Sequence, residues 1–169
     1  ELDLGVELTP IDLSVVSAVI PKVERASGLL SGAVKLTGKA RAPSVDGELR
    51  VRNAEFDVKG LPSAVTEVEL DVRATESEVR ITRGSARFAG GTVALEGVVP
   101  LRGIRFDAAE LQLVAKDIHL VPSDGVQATL DTDLTILFDG TSLPRVSGEV
   151  LVTGGSYTRA INLVTDLTG

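Results

Sequence analysis

The chain has 169 residues, a net charge of −7 and no cysteine. Its length suits one domain with a real core, and 43% hydrophobic residues argue against disorder. The negative charge argues against nucleic acid and against docking on anionic headgroups, both of which need clustered Lys and Arg; without Cys, neither a disulfide nor a thiolate zinc site exists.

Leu2, Leu4, Val6 and Leu8 alternate with Asp3 and Glu7 and predict a first strand. Thr9 then reads as an N-cap and Pro10 as the first helical residue. Leu13, Val16 and Ile20 follow at helical spacing, and Pro21 closes one short helix. From Ser31 onward the pattern is almost entirely that of strands. Leu30, Val34 and Leu36 face away from Lys35, Thr37 and Lys39. Val45, Leu49 and Val51 face away from Asp46, Glu48 and Arg50. After Asn53 the phase slips by one residue, so that Ala54, Phe56 and Val58 carry the apolar positions. Such a slip means a bulge or a turn.

Turns are expected at Gly60–Ser63, Gly90–Gly91, Pro100–Gly103, Pro122–Gly125 and Asp139–Gly140. Between them Val68, Leu70 and Val72, then Val79 and Ile81, Val93 and Leu95, Leu111 and Leu113, and Leu130, Leu134 and Ile136 alternate with charged residues. The stretch from Pro43 to Phe56 recurs from Pro144 to Tyr157, with Val150 and Val152 in the register of Leu49 and Val51. A weaker echo of residues 31–40 spans Gly90 to Pro100. Such self-similarity predicts a repeated supersecondary unit. The tail from Arg159 reads equally well as strand or helix.

Residues 1–169 therefore read as a single β-rich domain with one short N-terminal helix. About a dozen strands at roughly 4.8 Å spacing make a sheet on the order of 55–60 Å wide, which one helix does not cover. A β-sandwich or closed barrel is the common solution; a sheet curled around its own aliphatic face is the other. Aromatics are only 3%, with no Trp, and the apolar positions are mainly Val, Leu and Ile, which makes a smooth lining rather than a ring-filled core. Met is absent even at position 1, and both ends fall inside patterned sequence, so the chain reads as a fragment of a longer protein.

GAVKLTGKARAPSVDGELRVRNAEF and LPRVSGEVLVTGGSY resemble the GxLxLxGTxxxPxLxGxLxLxxgxY pattern of the TamB-like branch of the AsmA-like envelope proteins. The strand, helix and glycine entry from Leu2 to Gly32 is similar as well. The resemblance implies a curled, U-shaped sheet, or β-taco, with an apolar concave face. It also implies a repeat-built periplasmic protein anchored in the inner membrane of a Gram-negative bacterium. Its implied partners are phospholipid acyl chains and an Omp85-type, TamA-like outer-membrane barrel, and its implied roles are phospholipid movement between membranes and support of outer-membrane protein assembly.

On that reading the groove is lined by Val34, Leu36, Leu49, Val51, Val68, Leu70, Val72, Val79, Ile81, Val93, Leu95, Leu111, Leu113, Leu130, Leu134, Ile136, Val150 and Val152. The same residues also suit plain core packing. An enzyme is not expected. His119 is the only histidine and has no partner at recognisable spacing, and Asp131 with Asp133, like Glu67, Glu69 and Asp71, reads as a solvated outer face. No cofactor or metal is expected. Two other readings compete: an interaction module acting by strand augmentation without lipid carriage, and a passive structural domain.

Overall fold

Strand pairing decides the architecture. The computed structural model describes residues 2–39, 42–102, 105–106, 108–123, 125–138 and 144–157. The strands are β1 (Leu2–Asp12), β2 (Val23–Lys39), β3 (Ala42–Val58), β4 (Val65–Ala74), β5 (Glu78–Phe88), β6 (Gly91–Arg102), β7 (Arg105–Phe106), β8 (Ala109–Ser123), β9 (Val126–Phe138) and β10 (Arg145–Tyr157). Each long strand pairs antiparallel with the next, in the order β1-β2-β3-β4-β5-β6-β8-β9-β10; the two-residue β7 pairs with β6 alone. Short connections make this meander the cheapest route for the chain.

The sheet is open. β1 and β10 are its two edges, so no barrel closes. Beyond the short helix, which rests on β2, the substantial contacts of each strand are with its sheet neighbours. The sandwich and the closed barrel are therefore both overturned among the described residues: there is no second layer and no seam.

The sheet also has fewer, longer strands than the dozen expected, because several apparent breaks are bulges inside strands. At Asn53 the register shifts between Val51 and Ala54, and Asn53 adopts φ +49. Asn tolerates this left-handed region better than most residues. Asp117 (φ +56) does the same in β8 and Glu67 (φ +51) in β4. Pro100 does not begin a turn. It lies in β6 opposite Glu78, past the last β6–β8 pair at Val98 and Glu110, where its missing donor has no strand to serve.

The N-terminal helix starts later than the sequence suggests. β1 keeps pairing with β2 through a register shift between Leu8 and Ile11, so Thr9 and Pro10 stay extended. Pro tolerates a bulge on an edge strand. Asp12 is the actual N-cap and accepts from the Ser14 backbone amide at 2.7 Å. A 3-10 turn (Leu13–Val15) leads into α1 (Val16–Val19). Of this segment only Leu13 is buried. The turn expected at Asp139–Gly140 and the tail from Arg159 lie outside the described residues.

Candidate functional site

Residues directly opposite each other on paired strands point to the same side. Leu8, Gly32, Leu49, Val72, Ile81, Gly97, Leu111, Ile136 and Val146 form one unbroken row across every long strand. The adjacent row on the other side runs Glu7, Ala33, Glu48, Arg73, Arg80, Val98, Glu110, Leu137 and Arg145. One face is thus aliphatic and the other predominantly charged. Every residue named above as groove lining falls on the aliphatic face. Val34 pairs with Val6, Leu36 with Leu4 and Val45, Val51 with Leu70, and Val68 with Ala54. Val79 pairs with Ala74, Val93 with Ala115, and Leu95 with Leu113, which pairs in turn with Leu134. Val150 faces Thr132, and Val152 faces Leu130.

The aliphatic face is partly covered over β2, β3 and β8 and is bare on β10. No large side chain is fully enclosed among the described residues. The residues that are buried are mostly small: Ala54 is 0% exposed, Ala26 and Ala115 5%, and Ala109 8%. The alanines on the charged face, Ala33 and Ala94, are exposed. An alanine of the same size is therefore covered on one side and wet on the other, because larger aliphatic neighbours overhang it. Gly28 (φ +114) marks the register shift where β2 and β3 approach closely. A Cβ on it would lie 2.5 Å from the Cα of Ala54. On β10, by contrast, Val146, Val150 and Val152 are all exposed. Among the described residues a polar side chain interrupts the aliphatic rows at Thr132, whose hydroxyl is enclosed without a hydrogen-bond partner there.

The charged face braces the bulges. Arg52 donates to the carbonyl oxygens of Val51 (2.8 Å) and Leu70 (3.2 Å), bonds Asp71, and lies 3.3 Å from Glu69. Glu69 also accepts the backbone N–H of Asn53 at 2.9 Å. At the second bulge Asp131 accepts the N–H of Asp117, again at 2.9 Å. Glu69, Asp71 and Asp131 are thus half-buried structural acceptors rather than a solvated row, and Glu67, a bulge residue, drops out of their alternation. Asp133 is exposed and accepts from Gln112. His119 is exposed on the charged side opposite Thr129, and no cluster of metal-ligating side chains forms among the described residues.

A hollow of about 600 Å³ lies on the charged face, where Gly5 and Ala33 leave room between Glu7, Lys35, Asp46, Glu48 and Arg73. Its charges are mixed, and it holds neither a nucleophile with a base nor a convergent donor set. The aliphatic face is no such pocket; it is as wide as the sheet. Compared with protein-family models, with curated proteins and with solved structures, the chain matches none.

Proposed function

We propose that this chain is a hydrophobic-groove segment that carries phospholipid acyl chains, with the sheet curled so that its aliphatic face is concave. The observation that carries this reading is the uncovered aliphatic face, continuous over every long strand, with no second layer packed on it among the described residues. The covered alanines of that face and the bare alanines of the other support the inward curl. Each methylene kept from water is worth about 0.8 kcal/mol. A lining of Val, Leu and Ile supplies that cover evenly, so an acyl chain meets no special trap, and its headgroup stays in water at the open side. The step requires no bond to be made or broken, and the reading includes no enzyme activity.

The sequence resemblance supplies the setting: the periplasm of a Gram-negative bacterium, a parent protein anchored in the inner membrane, and an Omp85-type barrel as partner in outer-membrane assembly. Photo-crosslinking tests the core of the proposal. A photoreactive side chain at Leu70 or Ile136 captures phospholipid, and one at Glu69 or Asp133 does not. Native mass spectrometry of the purified chain shows bound phospholipid. Equal labelling of both faces overturns the reading.

A further inference from the structure

The two edges of the sheet are protected very differently. β1 carries Asp3 and Glu7 on its charged side and Pro10 at its bulge. Such features keep an edge from pairing with another strand. β10 has no Pro; its charged side carries Arg145 and Glu149, but at its middle stands Leu151, where β1 has no apolar residue on that side. Val150 is 59% exposed, Leu151 62% and Tyr157 67%. Among the described residues nothing pairs with its outer edge.

The internal repeat shows what kind of strand is left open. Val146, Gly148, Glu149, Val150 and Val152 of β10 correspond to Val45, Gly47, Glu48, Leu49 and Val51 of β3. β3 is paired on both edges, and its β4 edge is charge-matched: Glu48 faces Arg73 and Arg50 faces Asp71. In β10 the place of Arg50 is taken by Leu151 and that of Arg52 by Thr153. The edge no longer asks for an acidic strand.

It does fit its own reverse. We infer that β10 is a self-pairing edge, which joins two copies of this chain about a two-fold axis through Leu151, normal to the sheet. In that register Leu151 faces Leu151 of the second copy on the charged side, and Val150 faces Val152 on the aliphatic side. β10 already carries one extra residue between Val152 and Gly154. That bulge brings Gly148 opposite Gly155, Ser147 opposite Ser156 and Val146 opposite Tyr157. Glu149 lies across from Thr153 and Gly154, so no two like charges meet. A two-fold axis normal to the sheet makes the new pair antiparallel and keeps both aliphatic faces on one side. The contact is isologous and closes at two copies. It is independent of whether lipid is carried.

Single cysteines test it cleanly in a chain that has none. Directly opposed residues of an antiparallel pair have Cα atoms about 4.5–5.5 Å apart, within disulfide reach. Leu151→Cys therefore oxidises to an interchain disulfide. Ser147→Cys alone does not, but mixed with Ser156→Cys it forms the crossed dimer. Sedimentation of the unmodified chain shows a concentration-dependent dimer, and Leu151→Lys, which sets two like charges face to face, raises its Kd about tenfold or more. Should the lysine variant not fold, the cysteine series still decides. A chain that stays monomeric at its highest soluble concentration overturns the inference. So does Leu151→Cys oxidising no faster than Asp3→Cys on the opposite edge.

Discussion

Truncating Leu70 to alanine separates an open aliphatic face from a sealed core. Leu70 sits mid-sheet on β4, between Val51 of β3 and Gly84 of β5, and is half-buried. Leu70→Ala removes three carbons, about 2.4 kcal/mol if all were fully withdrawn from water. Part of this side chain is wet already, so the transfer loss falls to about 1.5–2 kcal/mol. In a sealed core a cavity penalty adds to the transfer loss, and the total reaches about 2.7–5 kcal/mol. Here no layer lies above the site, water enters the space, and that penalty vanishes. Urea unfolding followed by circular dichroism measures the difference, with an unchanged m-value as the check that both variants unfold from equally compact states. Leu113→Ala and Leu134→Ala behave alike, while Val150→Ala, on the exposed edge strand, loses only about 0.5 kcal/mol. A loss above about 3 kcal/mol at Leu70 refutes the open face, since only an enclosed site holds an empty cavity.

Three further outcomes follow from the charged side and the helix start. Arg52→Ala strips the bulge of its clamp and leaves Glu69 and Asp71 half-buried without their cation; it lowers stability by about 1–2 kcal/mol, and Arg52→Lys restores only part because one ammonium does not reproduce the fork, both read from chemical denaturation. Asn53→Val forces a β-branched residue to φ +49 and loses about 1–2 kcal/mol, whereas Asn53→Gly stays within about 0.5 kcal/mol of the parent chain by the same assay. The Ser14 backbone amide, then its hydroxyl, holds the Asp12 carboxyl below its ordinary value of 3.8. A folded-state pKa below the unfolded one gives stability that is full above pH 3.8 and lost as pH falls through the lowered value. The protection factor of the Ser14 amide, the unprotected exchange rate divided by its own at the same pH, therefore falls in that acid window, and Asp12→Asn removes this change.

The two faces were legible because alternation is a local signal. Val68, Leu70 and Val72 fall opposite Glu69 and Asp71 in the sequence as they do on β4. The one-residue slip at Asn53 was equally visible, but bulge and turn look alike until the partner strand shows whether pairing resumes. It resumes, with Ala54 opposite Val68. Thr9-Pro10 and Pro100 misled for one reason: proline at a helix start and proline at an unpaired strand position satisfy the same missing donor. Openness was not legible at all, since a packed sandwich and a bare trough ask for the same aliphatic positions. Nor was the clamp at Arg52, whose partners Glu69 and Asp71 lie on the next strand, where only the bulged register brings them.

That clamp ties the two faces together. In a strand as long as β3, strict alternation past Arg52 would put Asn53, Glu55 and Asp57 on the aliphatic side. The extra residue at the bulge returns Ala54, Phe56 and Val58 to it instead. β8 makes the same correction at Asp117, which restores Ile118 opposite Leu130. Both corrections require backbone at positive φ, which costs about 1–3 kcal/mol at a residue other than glycine. Both are held by a carboxylate on the neighbouring strand, Glu69 in one case and Asp131 in the other, accepting the N–H of the bulged residue. The acidic residues of the charged face are therefore structural. They hold the kinks that return Ala54, Phe56 and Val58 on β3 and Ile118 on β8 to the aliphatic face, so the apolar rows on these strands of the open sheet depend on charges placed on its other side.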